Sequence, residues 1–370
     1  MIFMKTMAPL SARRGEVQAN IRIGLASAPM PSAEPSAPPP SQLHAPAEPY
    51  ASTRLDVGDG HSLYFEQCGN PGGVPMVYLH GGPGSGCSPR HRQFFDPTLC
   101  RAVLFDQRGC GRSSPLGELR HNHTDALLQD METLRDHLGI ARWLVVGGSW
   151  GAGLALAYSS RHPGACLGLV LRGTFLGRPA DLQWFFEGAG SLLPDAWQHL
   201  TDQVGCTRWD EVLQRLHAGV NHAEQSIALG SALAWEAWEH SLSAHTSITP
   251  RALSANDPQA MSLLRKYQIQ SHYLSHQCFR HGRGLLASGT DTAHLPTALL
   301  HGRLDWICRP EAAWHIHQQL PASRLQWVEG CGHNPFEPGN AAALVATITH
   351  FANHGNFAHW GAANSVARPL

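Results

Sequence analysis

Ser149 stands at the centre of Gly147-Gly148-Ser149-Trp150-Gly151, a G-x-S-x-G sequence. This pattern arises often by chance in a glycine-rich chain, so the residues on either side decide its meaning. Residues 143–146 form an apolar run that predicts a buried strand, and residues 152–158 predict a helix. A strand, G-x-S-x-G and a helix together form the strained turn that exposes a serine hydroxyl as a nucleophile. The flanks therefore favour a nucleophile over a simple glycine-serine loop.

A serine nucleophile needs a histidine base, and that base needs a carboxylate to orient it. In this setting the chain order is serine, acid, histidine, each after a strand. Asp305 follows the predicted strand at residues 297–300, and His333 follows the one at residues 325–328. The sequence therefore predicts a catalytic triad of Ser149, Asp305 and His333.

Asp106 is a competing candidate for the acid, since it follows the predicted strand at residues 102–105. It precedes the nucleophile, however, and lies in the turn-like Asp-Gln-Arg-Gly-Cys-Gly-Arg segment. We expect Asp106 to shape and ion-pair the floor of the site. The chain has 24 histidines, which makes any single one weak evidence, and we assign His354 and His359 to a terminal helix or tail.

An acyl-transfer site also needs two backbone N–H groups directed at the developing oxyanion. One is predicted at Trp150, the residue after the nucleophile. The other is predicted in His80-Gly81-Gly82-Pro83-Gly84, which follows an early strand at residues 76–79. Glycine lets the backbone approach the substrate oxygen closely, so we favour the N–H of Gly82, with Gly81 as the alternative.

These groups require a framework of alternating strands and helices. Near-continuous apolar runs typical of strands in a parallel sheet alternate with helical patterns, of which the clearest covers residues 125–138, with Thr124 as N-cap and Gly139 as the stop. The fold class predicted is α/β, with a mostly parallel central sheet, helices on both faces and an inserted helical cap. The remaining strands are predicted at residues 62–66 and 167–171.

The same patterns divide the chain into segments. Residues 1–48 are rich in proline, alanine and serine, and we expect them to be disordered, although a start codon assigned too far upstream would explain them equally well. No apolar stretch follows Arg13-Arg14, so no secretory signal is predicted. The core is predicted at residues 49–173 and 293–353, the aromatic-rich cap at 174–292, and a tail at 354–370.

Composition excludes several classes of function. The net charge of −1 and the lack of a long apolar run argue against binding to nucleic acid or membrane. The nine cysteines are odd in number and include no C-x-x-C pair, so we predict neither zinc nor disulfides and expect a cytoplasmic protein with reduced thiols. No metal or organic cofactor is predicted.

Three motifs in order now point to one family: His80-Gly81-Gly82-Pro83-Gly84, Asp106-Gln107-Arg108-Gly109-Cys110-Gly111-Arg112-Ser113 and Gly147-Gly148-Ser149-Trp150-Gly151. The chain resembles the prolyl aminopeptidases, or proline iminopeptidases, which are serine exopeptidases of the α/β-hydrolase fold. The resemblance covers about residues 50–352. It implies release of an N-terminal proline from short peptides that have a free amino end.

The resemblance also implies where that amine binds. Glu239, in the predicted cap, matches the family's amine-binding glutamate, although by itself it would be taken for a solvated helix charge. Related enzymes carry a second glutamate where this chain has Gln270, which retains a hydrogen-bond acceptor but not the charge. Trp238 is predicted to contact the substrate beside Glu239.

The predicted function is therefore proline release through an acyl-enzyme on Ser149. The alternative is a carboxylic-ester or lactone hydrolase that uses the same triad without reading an amine. A non-catalytic binding module is disfavoured by the complete triad. Dehalogenases and epoxide hydrolases use an aspartate nucleophile, which the serine at position 149 excludes.

Overall fold

The computed structural model describes residues 43–279, 291–361 and 365–366. Residues 1–42 of the predicted extension, 280–290 of the predicted cap, and 362–364 and 367–370 of the predicted tail lie outside the described residues. The end of the predicted extension is attached to the fold, since the N–H of His44 donates to the carbonyl of Gln93 at 3.0 Å. None of the described helices is long and apolar enough to cross a membrane.

In the described part of the chain, one sheet contains nine strands in the order β1-β2-β4-β3-β5-β6-β7-β8-β9. Strands β3 to β8 run parallel to one another, while β1, β2 and β9 pair antiparallel at the two edges. The strands are β1 (Ala51–Asp56), β2 (Ser62–Gly69), β3 (Val74–Leu79), β4 (Cys100–Phe105), β5 (Trp143–Gly148), β6 (Cys166–Arg172), β7 (Thr297–Gly302), β8 (Ser323–Val328) and β9 (Ser365–Val366).

Helices cover both faces of this sheet, which confirms the predicted fold class. Alternate residues of β5 enter two separate cores: Val145 packs on the side of α1 and α2, and Leu144 and Val146 pack on the side of α9. A strand buried on both faces must be apolar at every position, which is why its sequence lacks alternation. The flanking helices are α1 (Thr124–His137), α2 (Trp150–Arg161), α8 (Pro310–Gln319) and α9 (Pro338–His354).

The start of α1 differs from its prediction by one residue. Thr124 is the first helical residue, and His123 is the N-cap, because its Nδ1 accepts a hydrogen bond from the N–H of Ala126 at 3.3 Å. The Thr124 hydroxyl instead donates to the carbonyl of Cys278 at 2.5 Å. The Thr124 hydroxyl, which the local pattern predicts to cap the helix, therefore bonds to a carbonyl that is distant in the sequence.

Between β6 and β7 the described residues form a layer of helices. Its aromatic side chains pack mainly on one another: Trp235 contacts Phe186 and Tyr267 with ring centroids 5.3 Å apart in both pairs. These rings are fully buried and give the layer its own core, as expected for most of the aromatic residues in this segment. The helices are α3 (Pro179–Phe186), α4 (Pro194–Val204), α5 (Trp209–Val220), α6 (Gln225–Ala244) and α7 (Pro258–Ser275).

His91 provides a test of this packing because it is a titratable ring in an apolar site. It stacks against Tyr78 and Phe336, with centroids 4.8 and 5.4 Å away, and its Nδ1 accepts from the N–H of Ser88. Burial lowers the pKa of His91 from 6.5 to about 3. The unfolded chain protonates this ring near pH 6.5 and the folded chain does not, so acidification below that pH favours unfolding.

We predict that His91→Phe reduces the dependence of stability on pH. Each extra proton bound by the unfolded state costs about 1.4 kcal/mol of unfolding free energy per pH unit. Between about pH 6 and 4.5, the unfolding free energy of the variant should change less steeply with pH than that of the wild type, by up to about 1.4 kcal/mol per pH unit. The lost Ser88 hydrogen bond lowers the stability of the variant by about 1 kcal/mol at all pH values. Denaturant unfolding at several pH values measures both quantities. Parallel pH profiles would contradict the buried neutral ring.

Candidate active site

Ser149 lies in the tight turn between β5 and α2, with φ 58° and ψ −123°. A non-glycine residue rarely adopts this conformation, and it persists only where the surroundings enforce it. The chain approaches itself so closely here that a Cβ on Gly147 would collide with the carbonyl of Gly151. A Cβ on Gly151 would in turn collide with the carbonyl of Leu79. The strand, turn and helix predicted around Ser149 are therefore present, and the flanking glycines are a steric requirement.

Asp305 and His333 meet at the carboxyl ends of β7 and β8. His333 Nδ1 is 2.7 Å from Asp305 Oδ2, while Asp305 Oδ1 accepts from the backbone N–H groups of Ile307 and Cys308 at 3.0 and 2.8 Å. Burial raises the pKa of Asp305, but His333 and the N–H of Cys308 together hold it below its usual value. An ionised carboxylate in this position fixes the imidazole with its Nε2 directed away from Asp305.

The end of β6 connects this pair to Ser149. The N–H of Ser149 donates to the carbonyl of Arg172 at 2.9 Å. A Cβ added to the next residue, Gly173, would lie 3.1 Å from Asp305 Oδ2 and 3.3 Å from the His333 ring. Because β5, β6, β7 and β8 are consecutive in the sheet, the three predicted catalytic residues gather at one edge.

Three residues to which the sequence assigns no role hold the His333 loop. The buried guanidinium of Arg172 donates to the carbonyl of His333 at 2.5 Å. Glu337 accepts from the N–H groups of Gly332 and Asn334 at 2.7 and 3.0 Å, and the Asn340 amide donates to the carbonyl of Gly332 at 3.0 Å. An arginine that ends a buried strand is the one signal that could have identified this support, since its charge needs a partner.

The loop after β3 brings the predicted oxyanion donors beside Ser149. Gly82, with φ 113°, borders the same cavity as Ser149, and a Cβ on Gly81 would be 3.3 Å from the Cβ of Ser149. Trp150 is the first residue of α2, so its N–H has no acceptor within the helix. Both predicted donors thus belong to segments that flank the serine.

Gln107 joins these two segments. Its amide NH2 donates to the carbonyl of His80 at 3.0 Å, and its Oε1 accepts from the Trp150 indole N–H at 2.9 Å. Its backbone N–H also donates to His80 Nε2 at 3.0 Å. Burial lowers the pKa of His80, which keeps this ring neutral and able to accept. One buried side chain therefore spans the glycine loop and the residue after the nucleophile.

Asp106, the competing acid, lies below the glycine loop. It is fully buried and accepts from the Arg112 side chain and backbone, both at 2.8 Å, and from the N–H of Cys87 at 2.7 Å. Burial raises its pKa, but Arg112 and His80 together lower it below the ordinary value. These contacts match the structural role expected of Asp106, in the floor of the site.

A small cavity of about 40 Å³ lies at Ser149, and residues of the helical layer form part of its lining. Phe175, Leu182 and Phe185 supply apolar walls, and Glu239 and Gln270 supply the polar groups. Trp238 lies behind this wall, since its indole donates to the carbonyl of Phe185 at 2.9 Å and its ring packs on the Phe185 ring. Any effect of Trp238 on a bound molecule would therefore pass through Phe185.

The two polar groups of the cavity have different surroundings. Glu239 accepts from the Tyr267 hydroxyl at 2.9 Å and lies 3.6 Å from the Lys266 ammonium. Burial raises the pKa of Glu239, but Lys266 and Tyr267 lower it below the usual value for glutamate. Within the described part of the chain, Gln270 Oε1 is buried and has no hydrogen-bond partner. A carboxylate and an unsatisfied carbonyl oxygen therefore border the same space as the serine.

This combination of sheet, strained serine, histidine and aspartate defines an α/β hydrolase, and residues 74–339 match the family model of the alpha/beta hydrolase fold. A solved structure of a proline iminopeptidase-related protein from Thermus thermophilus shares this fold, with a TM-score of 0.50 and 21% identity over 82% of this chain and 97% of that one. No group of three or more metal-binding side chains occurs among the residues described.

Two relatives define the family within that class. A probable proline iminopeptidase from Leptolyngbya boryana is 41% identical over 84% of this chain and 97% of its own length. A proline iminopeptidase from Xanthomonas citri is 41% identical over 84% of this chain and 99% of its own length. The chain belongs to the proline iminopeptidase family, and the resemblance drawn from its three motifs is confirmed.

We predict that Gln107→Met slows the reaction of Ser149 with a fluorophosphonate probe about tenfold. The variant leaves the His80 carbonyl and the Trp150 indole unpaired, which lets the two donor segments shift, and a small misplacement costs a large factor in rate. Labelling kinetics followed by mass spectrometry measure the effect. Gln129→Met, at an exposed position on α1, is the matched control. Unchanged labelling in a less stable Gln107→Met protein would show that Gln107 supports only folding.

Proposed function

We propose that the protein is a serine exopeptidase that releases an N-terminal proline from short peptides through an acyl-enzyme on Ser149. The observation that carries the proposal is that Glu239 and Gln270 both line the cavity that contains Ser149. A terminal amine is mostly cationic at neutral pH, and it hydrogen-bonds well to an ionised carboxylate and a carbonyl oxygen. Within the described residues the buried Gln270 Oε1 has no donor, and such a ligand would supply one.

In the proposed acylation step, His333 takes the proton of the Ser149 hydroxyl as its oxygen attacks the carbonyl carbon of the first residue. Asp305 accepts from His333 Nδ1 and stabilises the imidazolium that forms. The N–H groups of Gly82 and Trp150 bind the oxyanion of the tetrahedral intermediate. His333 then donates its proton to the departing nitrogen, and the shortened peptide leaves.

Deacylation repeats these steps with water as the nucleophile. His333 takes a proton from the water, which attacks the prolyl ester, and the same two N–H groups stabilise the second oxyanion. The proton returns to Ser149 as the ester bond breaks and proline is released. The chemistry is complete with groups of this chain and water.

The cavity accounts for the choice of an exopeptidase over an endopeptidase. Its apolar walls, Phe175, Leu182 and Phe185, favour a compact apolar ring. Glu239 in its lining would pair with a free amine, whereas a preceding peptide residue would remove the charge of that amine and need further space. The apolar walls and the carboxylate of Glu239 together favour an N-terminal proline over an internal one.

The proposed location is the cytoplasm. All nine cysteines lie in the described part of the chain, no disulfide joins them, and most of them are buried. Scattered buried thiols without disulfides are typical of proteins that remain in a reducing compartment.

The amine-binding role of Glu239 separates this proposal from an ester or lactone hydrolase. We predict that Glu239→Gln raises KM for proline 4-nitroanilide about 10- to 100-fold, because a hydrogen bond to a charged group contributes about 1.5–3 kcal/mol. Hydrolysis of a short acyl ester should change less than twofold, since it needs only the triad. Steady-state kinetics on both substrates measure this contrast.

Glu224→Gln is the control for the loss of one negative charge, since Glu224 is exposed at the start of α6, which also carries Glu239. It should match the wild type on both substrates. Preference of the wild type for N-blocked esters over free-amine proline amides would overturn the peptidase assignment. An equal loss on both substrates would show that Glu239 supports the triad and does not bind the amine.

A further inference from the structure

A second cavity of about 240 Å³ is bordered by the same glycine loop as the first. Gly84 and Ser85 border it, and they follow Gly82, which borders the cavity at Ser149, by two and three residues. Neighbouring residues of one loop therefore border both spaces.

The second cavity is cationic. Lys266 and Arg251 line it together with hydroxyl and amide side chains, and none of the described residues that line it carries a carboxylate. The guanidinium of Arg251 is engaged by Glu236 at 2.8 and 3.2 Å and by Gln259 at 3.1 Å. Lys266 is thus the cation with the greater capacity for a new anionic partner.

Lys266 also connects the two cavities. Its ammonium is 3.6 Å from Glu239 Oε2, which is beyond hydrogen-bond distance, and it donates to the Tyr267 hydroxyl at 3.3 Å. The chain has only two lysines, of which Lys266 is one, and its other permanently charged basic residues are arginines. A lysine has three N–H groups, so this ammonium retains donors for a ligand.

Binding of a substrate amine changes the charge balance at this point. Without substrate, Lys266 is the nearest counter-charge of Glu239 within the described residues. An ammonium from the substrate would pair with Glu239 in its place and leave the charge of Lys266 uncompensated. That charge lies in a cavity without carboxylates, and an anionic group there would restore the balance.

The length of a dipeptide fits this arrangement. Each extended residue spans about 3.3–3.6 Å, so the amine and the carboxylate of a dipeptide are about 7 Å apart. An amine about 3 Å from Glu239 Oε2 lies at most about 7 Å from the Lys266 ammonium, because that ammonium is 3.6 Å from the same oxygen. The carboxylate of a third residue would lie more than about 3 Å further away, beyond that contact.

We propose that the second cavity binds the C-terminal carboxylate of the leaving residue of a dipeptide, with Lys266 as its cationic partner. The inference rests on the proposed function and specifies its substrate class. Dipeptides with a free carboxylate satisfy both charges, Glu239 through their amine and Lys266 through their carboxylate. Tripeptides and amidated dipeptides satisfy only Glu239.

The test compares kcat/KM for Pro-Gly, its C-terminal amide and Pro-Gly-Gly. The wild type should favour Pro-Gly over its amide about fivefold or more, through a lower KM, because the carboxylate forms a charge-assisted hydrogen bond. Lys266→Gln should reduce that ratio to near one. Any effect of this substitution on amine binding by Glu239 cancels in the ratio, since both peptides have the same amine.

Arg265→Gln is the matched control, because Arg265 precedes Lys266 on α7 and its side chain bonds to Gln268 outside the cavity. It should keep the wild-type ratio, and Lys266→Arg should restore most of it. High salt should lower the ratio for the wild type, a measurement that needs no variant.

Equal cleavage of Pro-Gly and its amide by the wild type would overturn the proposed carboxylate site and leave the proline peptidase assignment intact. A preference that persists in Lys266→Gln would also overturn it. Failure of the wild type to cleave any of the three peptides while it hydrolyses acyl esters would instead refute the proposed function.

Discussion

The strained turn at Ser149 is the constraint on which the rest of the site depends. Its positive φ holds only because β5, α2 and the end of β3 approach too closely for any side chain larger than hydrogen at Gly147 and Gly151. The same approach brings the glycine loop alongside the serine. Because β5 to β8 are parallel neighbours, the loops after β7 and β8 lie at the same end of the sheet as Ser149. Arg172, at the end of β6, holds the His333 loop in position there.

The helical layer adds a negative charge, that of Glu239, to the cavity at Ser149. Lys266 and Tyr267 lower the pKa of Glu239, and within the described residues Gln270, which borders the same cavity, has a buried Oε1 without a hydrogen-bond partner. Burying polar groups without full pairing costs free energy, and such groups persist where a ligand completes them. In the proposed function, the sheet supplies acyl-transfer chemistry that many substrates could use, and the layer above selects substrates by their amine. The proposed carboxylate site at Lys266 would extend that selection to the leaving group.

Most of the framework was predictable because buried parallel strands leave continuous apolar runs. Strand β1 was missed, since its largely exposed edge residues leave no such run, and β9 is only two residues long. The triad followed from strand ends and chain order. Contacts between distant segments gave no local signal: the Gln107 bridge and the 3.6 Å approach of Lys266 to Glu239 both depend on tertiary packing. Trp238 is predicted to contact the substrate, but in the structure it packs behind Phe185. The pattern of a helix that is buried on most sides does not reveal which of its aromatic residues lines a cavity.

The central claim is a prolyl ester on Ser149, and mass spectrometry of the acylated protein tests it most directly. The protein would be mixed rapidly with an activated ester of proline, quenched in acid and digested. The account predicts that the peptide containing Ser149 gains the mass of one prolyl group. It also predicts that the N-acetylated ester labels this peptide far less, because Glu239 no longer has an ammonium to bind. A prolyl group on another residue, or equal labelling by the blocked and free esters, would contradict the account.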